Sequence, residues 1–162
     1  MDPFNWMMEQ DRLNPQHSSE MFKDNFGMRP PVEGTVARGY LPYEFKGKPE
    51  PTVPLVNPVF PTEKALALGK KKYDTFCSPC HGWYGDGAAR LNNQYPNPPS
   101  FHSAKVVNWA DGNIYHVIVN GQNVMSSYAA LLTPEERWSV VLYIRALQRA
   151  KNATVEDIKK IK

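Results

Sequence analysis

The chain has 162 residues, a hydrophobic fraction of 41% and a formal net charge of +3, which suits one compact core with extensions rather than two domains. A membrane-spanning helix needs roughly 20 consecutive apolar residues, and no stretch approaches this, since even the run VVLYI is closed by Arg145. The chain opens MDPFNWMMEQDR, without the basic start and apolar run of a secretory signal. We expect a protein that does not span a bilayer by itself and that either stays inside the cell or has lost its signal.

The charge is unevenly distributed along the chain. Residues 1–61 hold six Lys or Arg and eight Asp or Glu, a net charge of −2, whereas residues 62–162 hold thirteen and eight, a net charge of +5. The second part is therefore the better candidate for docking on an acidic partner. Nucleic acid is not expected as a partner, because the lysines occur mainly as KKK at 70–72 and in the tail KKIK, without interleaved aromatic residues.

Ten of the fifteen prolines fall within residues 1–61, where they interrupt any long helix or central strand. Five of the six methionines and many aromatic residues lie there too, although a segment free in solution should be poor in aromatics. We predict an extended, proline-rich, irregular arm that lies along other protein surface. Partner subunits are the preferred surface, and irregular packing on its own domain is the alternative.

The first predicted helix follows the arm. Thr62 can cap the run TEKALALGKKKYDTF, and Leu66, Gly69 and Tyr73 recur at helical spacing along it. A glycine in mid-helix costs roughly 1 kcal/mol against alanine, so the absent side chain of Gly69 predicts the close approach of another helix.

The last predicted helix begins with a capping box. Thr133-Pro134-Glu135-Glu136 precedes RWSVVLYIRALQ, whose residues Val140, Ile144 and Leu147 form one apolar row.

Between these two helices we predict a third, from Asp111 to about Val119. It would be capped by Asp111 and stopped near Gly121, with Ile114, Val117 and Ile118 facing inward. Residues 82–108 are rich in glycine, asparagine and proline and are predicted to be mostly loop. The sequence thus predicts an all-α protein with an arm at 1–61, a domain at 62–150 and a basic tail at 151–162.

Both cysteines of the chain stand in FCSPCHGWYGDG at residues 76–87. A disulfide between Cys77 and Cys80 would close a very short loop and add little stability. A redox dithiol of the thioredoxin kind would require alternating strands and helices, which are not predicted here. A structural zinc site needs four ligands and would have to recruit His17, His102 or His116 from scattered positions.

The pattern C-x-x-C-H is typical of covalent haem attachment of the c type. Cys77 and Cys80 would add across the two vinyl groups, and His81 would be the proximal iron ligand. We therefore predict one covalently bound haem c, which would also complete the core of this small domain.

Met125 is the leading candidate for the sixth iron ligand. It lies in the loop NGQNVMSSY, between the third and last predicted helices, where the chain would cross the other haem face. His116 is the rival ligand, and His102 is interpreted as a loop residue that forms hydrogen bonds. With His81 and Met125 both bound, no position remains for a substrate, so the predicted function is electron transfer rather than catalysis.

With these motifs, residues 62–150 resemble a class I cytochrome c. The similarity rests on CSPCHG, PPSF at 98–101, NGQNVM and ERWSVVLYIRALQ. It implies the small class I fold around the haem, with Gly69 and Tyr73 of the first helix crossing Val140 and Tyr143 of the last. A proline often follows the ligand methionine of that family, and Ser126 stands there in this chain.

Nearly the whole chain, including MRPPVEGTVARG at 28–39, is similar to the monohaem cytochrome c subunit of alternative complex III, a bacterial quinol-oxidising membrane assembly. The similarity implies partner subunits that include a multihaem cytochrome, an iron-sulfur subunit and membrane subunits. It also implies a place on the outer, periplasmic face of the cytoplasmic membrane, peripheral or lipid-anchored. Electrons would pass on to a terminal oxidase or a soluble acceptor. The alternatives are a free diffusible cytochrome, and a haem enzyme or sensor with a labile sixth ligand.

Overall fold

The structure is a computed structural model that describes residues 10, 12–49, 54–91 and 93–159. It divides into two units, Met1–Pro42 and Tyr43–Lys162. Its helices are α1 (Glu63–Phe76), α2 (Ser78–His81), α3 (Ala104–Val107), α4 (Asp111–Asn120), α5 (Pro134–Lys151) and α6 (Val155–Lys159). The described residues contain isolated bridges but no β-strand. The predicted all-α class is confirmed.

The first unit contains a loop closed on itself, residues 13–29. Its two arms meet at the antiparallel bridge between Ser18 and Phe26, and an ion pair joins Arg29 to Asp24 at 2.6 Å. A side chain on Gly27 would lie 2.4 Å from the His17 carbonyl oxygen, so only glycine permits this closure. The loop leaves large apolar side chains in solvent: Met21, Phe26 and Met28 are 85%, 67% and 59% exposed.

Helices α1 and α5 begin where the sequence predicts. The Thr62 hydroxyl accepts a hydrogen bond from Ala65 N at the start of α1, and Thr133 and Glu136 form the predicted capping box of α5. The two helices pack so closely that a Cβ on Gly69 would lie 2.1 Å from the backbone oxygen of Ser139. The predicted close approach at Gly69 is confirmed.

Helix α4 differs from the prediction at its start. Ala110 occupies the N-cap position and no side chain caps the helix, because the carboxylate of Asp111 instead accepts a hydrogen bond of 2.7 Å from Arg145 Nε on α5. The prediction of Asp111 as the cap was wrong. Ile114 and Ile118 are buried as predicted, but Val117 is only half-buried.

Residues 43–49 and 54–60, here called the strap, belong to the second unit. Phe45 is 2% exposed, and its carbonyl accepts a hydrogen bond of 3.0 Å from Asn120 Nδ2 at the end of α4. Leu55 lies against Gly112, because a Cβ added to Gly112 would be 2.7 Å from the Cβ of Leu55. Asn57 Nδ2 donates to the Trp138 carbonyl at 3.2 Å. The structure therefore divides the chain after Pro42 and places the strap, which belongs to the predicted arm, in the second unit. The docking of residues 1–61 on partner subunits stays a prediction.

The core of the second unit is built from α1, α4 and α5. Its buried apolar side chains are Tyr73, Ile114, Tyr115, Ile118, Val119, Trp138, Val140, Val141 and Ile144. After α5, the predicted basic tail contains α6, which is joined to α5 by the ion pair between Arg149 and Asp157 at 2.5 Å. Of the helices in the described ranges, none is long and apolar enough to cross a bilayer.

Candidate cofactor site

Cys77, Cys80 and His81 lie together where α1 meets α2. Cys77 follows the last residue of α1 and is the N-cap of α2, which ends at His81. The Cys77 carbonyl accepts hydrogen bonds from Cys80 N at 3.1 Å and His81 N at 2.9 Å, so one helical turn spans all three residues. The Ser78 hydroxyl donates to the Asp74 carbonyl at 2.8 Å and fixes the turn to the end of α1. The three residues of the motif therefore lie on one turn, and their roles in haem binding stay predictions.

Both thiols are free, and both cysteines are half-buried. Burial raises the pKa of the Cys77 thiol to about 12, because a thiolate loses its hydration there. The thiol of Cys77 is therefore protonated at neutral pH. The low thiolate fraction disfavours thiolate redox chemistry at this position.

The His81 imidazole is kept neutral by its surroundings. Burial lowers its pKa to about 4, so the ring retains a lone pair for a metal at physiological pH. Its Nδ1 is buried and has no hydrogen-bond partner among the described residues. The ring stacks on Phe101 with centroids 4.5 Å apart and planes inclined by 21°.

The chain turns away from His81 through Gly82. Its φ of +79° favours glycine, and a Cβ there would lie 2.8 Å from the Ala88 carbonyl oxygen. The Tyr73 hydroxyl donates to the Gly82 carbonyl at 2.7 Å, which ties this turn to α1.

Met125 lies in the turn that follows α4. Its backbone exchanges hydrogen bonds with Gln122 at 2.9 and 3.0 Å. The same loop continues to Tyr128, whose hydroxyl donates to the carbonyl of Phe76 at 3.3 Å, directly before Cys77. Burial, followed by the neighbouring Cys77 and Cys80, raises the pKa of Tyr128. Tyr128, three residues after Met125, therefore lies beside the two cysteines, and the role of Met125 as a ligand stays a prediction.

The other two candidate histidines are engaged elsewhere. His116 is buried; the Tyr43 hydroxyl lies 2.8 Å from its Nδ1 and the Lys48 carbonyl 2.9 Å from its Nε2. Both ring nitrogens of His116 therefore have partners, so the side chain holds the strap rather than presenting a free nitrogen. His102 pairs through Nε2 with the Tyr84 carbonyl at 2.8 Å, which agrees with its interpretation as a loop residue that forms hydrogen bonds.

The structure does not bring together the ligands that a structural zinc site would need. Within the part of the chain that the structure describes, no group of three or more His, Cys, Asp or Glu side chains could hold a metal ion. A redox dithiol of the thioredoxin kind would require an α/β fold, and the described residues contain no β-strand.

Sequence reasoning did not single out Phe101 or Tyr128 as site residues. Phe101 stands in an irregular segment without helical or strand periodicity, and only the PPSF similarity drew attention to it. Tyr128 follows Met125 by three residues, but nothing in that spacing predicts its contact with the end of α1.

The residues fit a haem of the c type. Two free thiols on one turn could form two thioether bonds, and the neutral imidazole beside them, with a buried and unpartnered Nδ1, is chemically suited to iron through Nε2. Met125 would supply a thioether sulfur from the neighbouring loop.

Residues 64–144 match the family model described as "Cytochrome C oxidase, cbb3-type, subunit III". No curated protein sequence matches the chain significantly. Among solved structures, the fold is similar to a chain of the reducing HAO-like protein complex of Kuenenia stuttgartiensis, with 30% identity, a TM-score of 0.50 and coverage of 62% of this chain and 51% of that one. The chain thus spans about half the length of that relative.

Two further solved structures are similar, with lower sequence identities and lower TM-scores. Cytochrome cL of the marine methylotroph Methylophaga aminisulfidivorans is 21% identical, with a TM-score of 0.44, and the match covers 63% of this chain and 71% of that one. A structure described as a c-type cytochrome is 28% identical, with a TM-score of 0.44, and the match covers 49% of this chain and 96% of that one.

Proposed function

We propose that this chain is a subunit of a membrane-bound quinol-oxidising complex of the alternative complex III type. The chain belongs to the family of cytochrome c domains matched over residues 64–144. It therefore binds haem c covalently and transfers electrons. In this role it would accept electrons from a multihaem cytochrome and an iron-sulfur subunit. It would deliver them to a downstream oxidase or a soluble acceptor. The chain itself would be a carrier and not the catalytic subunit.

We assign four residues to the haem. Cys77 and Cys80 would each hold the haem through a thioether bond, formed by addition of the S–H across a vinyl group, and His81 and Met125 would bind its iron. The group supplies one-electron redox chemistry when bound. The chain's part is to hold the His81 imidazole neutral and to fill the sixth position with a thioether, which leaves no place for a substrate. The observation that carries this proposal is the single turn that joins two cysteines, not linked by a disulfide, to a buried, neutral imidazole.

The proposal of a complex is supported by the first unit. Its closed loop is ordered by its own hydrogen bonds and keeps Met21, Phe26 and Met28 in solvent. An exposed, preformed apolar surface is typical of a protein–protein contact. The relative from Kuenenia stuttgartiensis is itself described as part of a protein complex, which is compatible with such a role here.

The same proposal places the protein on the periplasmic face of the cytoplasmic membrane, held there by partner subunits or by a lipid anchor. Covalent haem attachment is compatible with this placement. Fractionation of the native host would test it. Recovery of the haem-loaded protein in the cytoplasmic fraction would contradict it.

Mild detergent extraction from the host tests the complex. We expect this chain to migrate with a multihaem cytochrome and membrane subunits, and a reduced-minus-oxidised spectrum of the assembly to respond to quinol. Recovery of the chain only as a free, soluble, haem-loaded monomer would contradict the proposed complex and support a diffusible carrier instead.

A further inference from the structure

The ring of Phe101 lies flat against the ring of His81. The centroid distance of 4.5 Å and the 21° inclination describe a stacked pair. A metal-binding histidine usually has its ring orientation fixed by a hydrogen bond from its second nitrogen. In this chain Nδ1 of His81 has no such partner among the described residues, and the stacking contact with Phe101 restrains the imidazole plane instead.

Phe101 is itself confined on its other sides. Its ring meets Tyr73 edge-on, with centroids 6.2 Å apart and planes at 64°. On the side of Gly85, whose φ is +72°, an added Cβ would lie 2.5 Å from the Phe101 ring. The phenyl ring therefore has little freedom to turn without displacing a neighbour.

The backbone of Phe101 is held at both of its polar atoms. Its N–H donates to the Gly85 carbonyl at 2.8 Å, and its carbonyl accepts from Gln148 Nε2 on α5 at 2.7 Å. Gln148 is buried, so this bond is shielded from water and its loss would leave a buried carbonyl unpaired.

Gln148 is oriented in turn by Arg145, one turn earlier on α5. Arg145 Nη1 donates to Gln148 Oε1 at 2.8 Å, and its Nε donates to Asp111 at 2.7 Å. Arg145 also bonds the carbonyls of Val107 and Trp109. The guanidinium thus joins α5 to α4 and to the segment after Phe101.

From these contacts we infer that Phe101 is a positioning residue that fixes the plane of the His81 imidazole, with Gln148 and Arg145 holding Phe101 in place. The inference rests on the proposed function, in which His81 binds the iron. The residue would act on the electronic structure of the iron through the orientation of its ligand, without contacting substrate or partner.

The test compares Phe101→Leu with Tyr143→Leu. Both native rings pack on Tyr73, but only Phe101 stacks on His81, so the second variant controls for general loosening of the core. The measurement is the low-spin electron paramagnetic resonance spectrum of the oxidised, haem-loaded protein, together with its reduction potential. We expect Phe101→Leu to shift and broaden the largest g value and to shift the potential, and Tyr143→Leu to leave both as in the unmodified protein.

A third variant, Gln148→Met, removes the hydrogen bond to the Phe101 carbonyl while keeping a side chain of similar size. We expect it to broaden the same signal to a smaller extent. Unchanged g values in Phe101→Leu, equal changes in both leucine variants, or loss of haem attachment in Phe101→Leu alone would overturn the inference. An unmodified protein whose iron lacks a histidine ligand would instead refute the proposed function, so the two failures are distinguishable.

Discussion

Met125 is the residue on which the carrier function most depends, since it would fill the sixth iron position. We predict that Met125→Ala leaves the haem covalently attached, lowers the reduction potential and lets the reduced iron bind carbon monoxide at neutral pH. The physical reason is that a vacant sixth position accepts an external ligand, while loss of the thioether removes a ligand that favours the reduced state. Optical titration with carbon monoxide and redox potentiometry measure both effects.

His116→Leu is the matched control for this variant. It removes the rival ligand but not Met125. We expect the iron spectrum to stay unchanged while stability falls by about 2 kcal/mol, because the Tyr43 hydroxyl and the Lys48 carbonyl each lose a hydrogen-bond partner. A spectrum that changes in His116→Leu and not in Met125→Ala would exchange the two assignments.

The sequence predicts the local geometry of the C-x-x-C-H turn well and the surroundings of His116 poorly, while the roles of Cys77, Cys80 and His81 at the haem stay predictions. C-x-x-C-H is a local pattern, so its geometry follows from one helical turn. The environment of His116 is set by Tyr43 and Lys48, which are 73 and 68 positions away. A local sequence pattern cannot predict contacts between residues so far apart in the chain. The contact between Phe101 and His81 was missed for the same reason.

The crossing of α1 and α5 is the element-scale feature that depends most on one residue. A Cβ at Gly69 would lie 2.1 Å from the Ser139 backbone oxygen, and backbone cannot move aside as a side chain can. We predict that Gly69→Ala destabilises the domain by about 3 kcal/mol through overpacking, although alanine favours the helix itself by about 1 kcal/mol.

Denaturant unfolding of the haem-loaded protein measures this change, with Lys71→Ala at an exposed α1 position as the control for helix propensity. An unfolding midpoint in Gly69→Ala equal to or above that of the unmodified protein would show that the two helices can separate at no cost. The glycine could be predicted from sequence because it stands inside an otherwise regular helix. The distance to its neighbour could not.

Glu136 links the start of α5 to α1 and gives the domain a dependence on pH. A hydrogen bond from Lys72 and one from the Thr133 backbone lower its pKa below the ordinary 4.5, and the Lys72 contact is 2.8 Å long. Because the folded state binds this proton less readily than the unfolded state, the contribution is complete above pH 4.5. It is lost as the pH falls through the lower, folded value.

We predict that the free energy of unfolding falls less between pH 6 and pH 3 in Glu136→Gln than in the unmodified protein. Denaturant titrations at each pH measure the two slopes. Identical pH dependence in both proteins would mean that Glu136 has the same proton affinity in the folded and unfolded states.

On the scale of the whole molecule, the structure assigns the strap to the folded unit. Burial of a side chain such as Phe45 contributes roughly 1.5–3 kcal/mol, and each net hydrogen bond from the strap about 1 kcal/mol. Total stability of a domain is about 5–15 kcal/mol, so the strap supplies a substantial share. Composition predicted an irregular arm but could not locate the point at which it joins the domain.

We predict that removing residues 1–42 leaves a coloured, folded protein that no longer joins the proposed complex. Removing residues 1–60 should lower the free energy of unfolding by about 5 kcal/mol more, because the buried strap is lost as well. Both truncations would carry the same export signal, and denaturant unfolding and co-purification would be compared. Equal stability of the two proteins would show that the strap adds nothing to the fold.

Peptide mass spectrometry of the chain purified from its own host tests whether a haem is joined through sulfur to Cys77 and Cys80. We predict that the peptide spanning both cysteines carries the mass of one haem and its absorption, with no free thiol. An unmodified peptide in a colourless protein with two free thiols would contradict it.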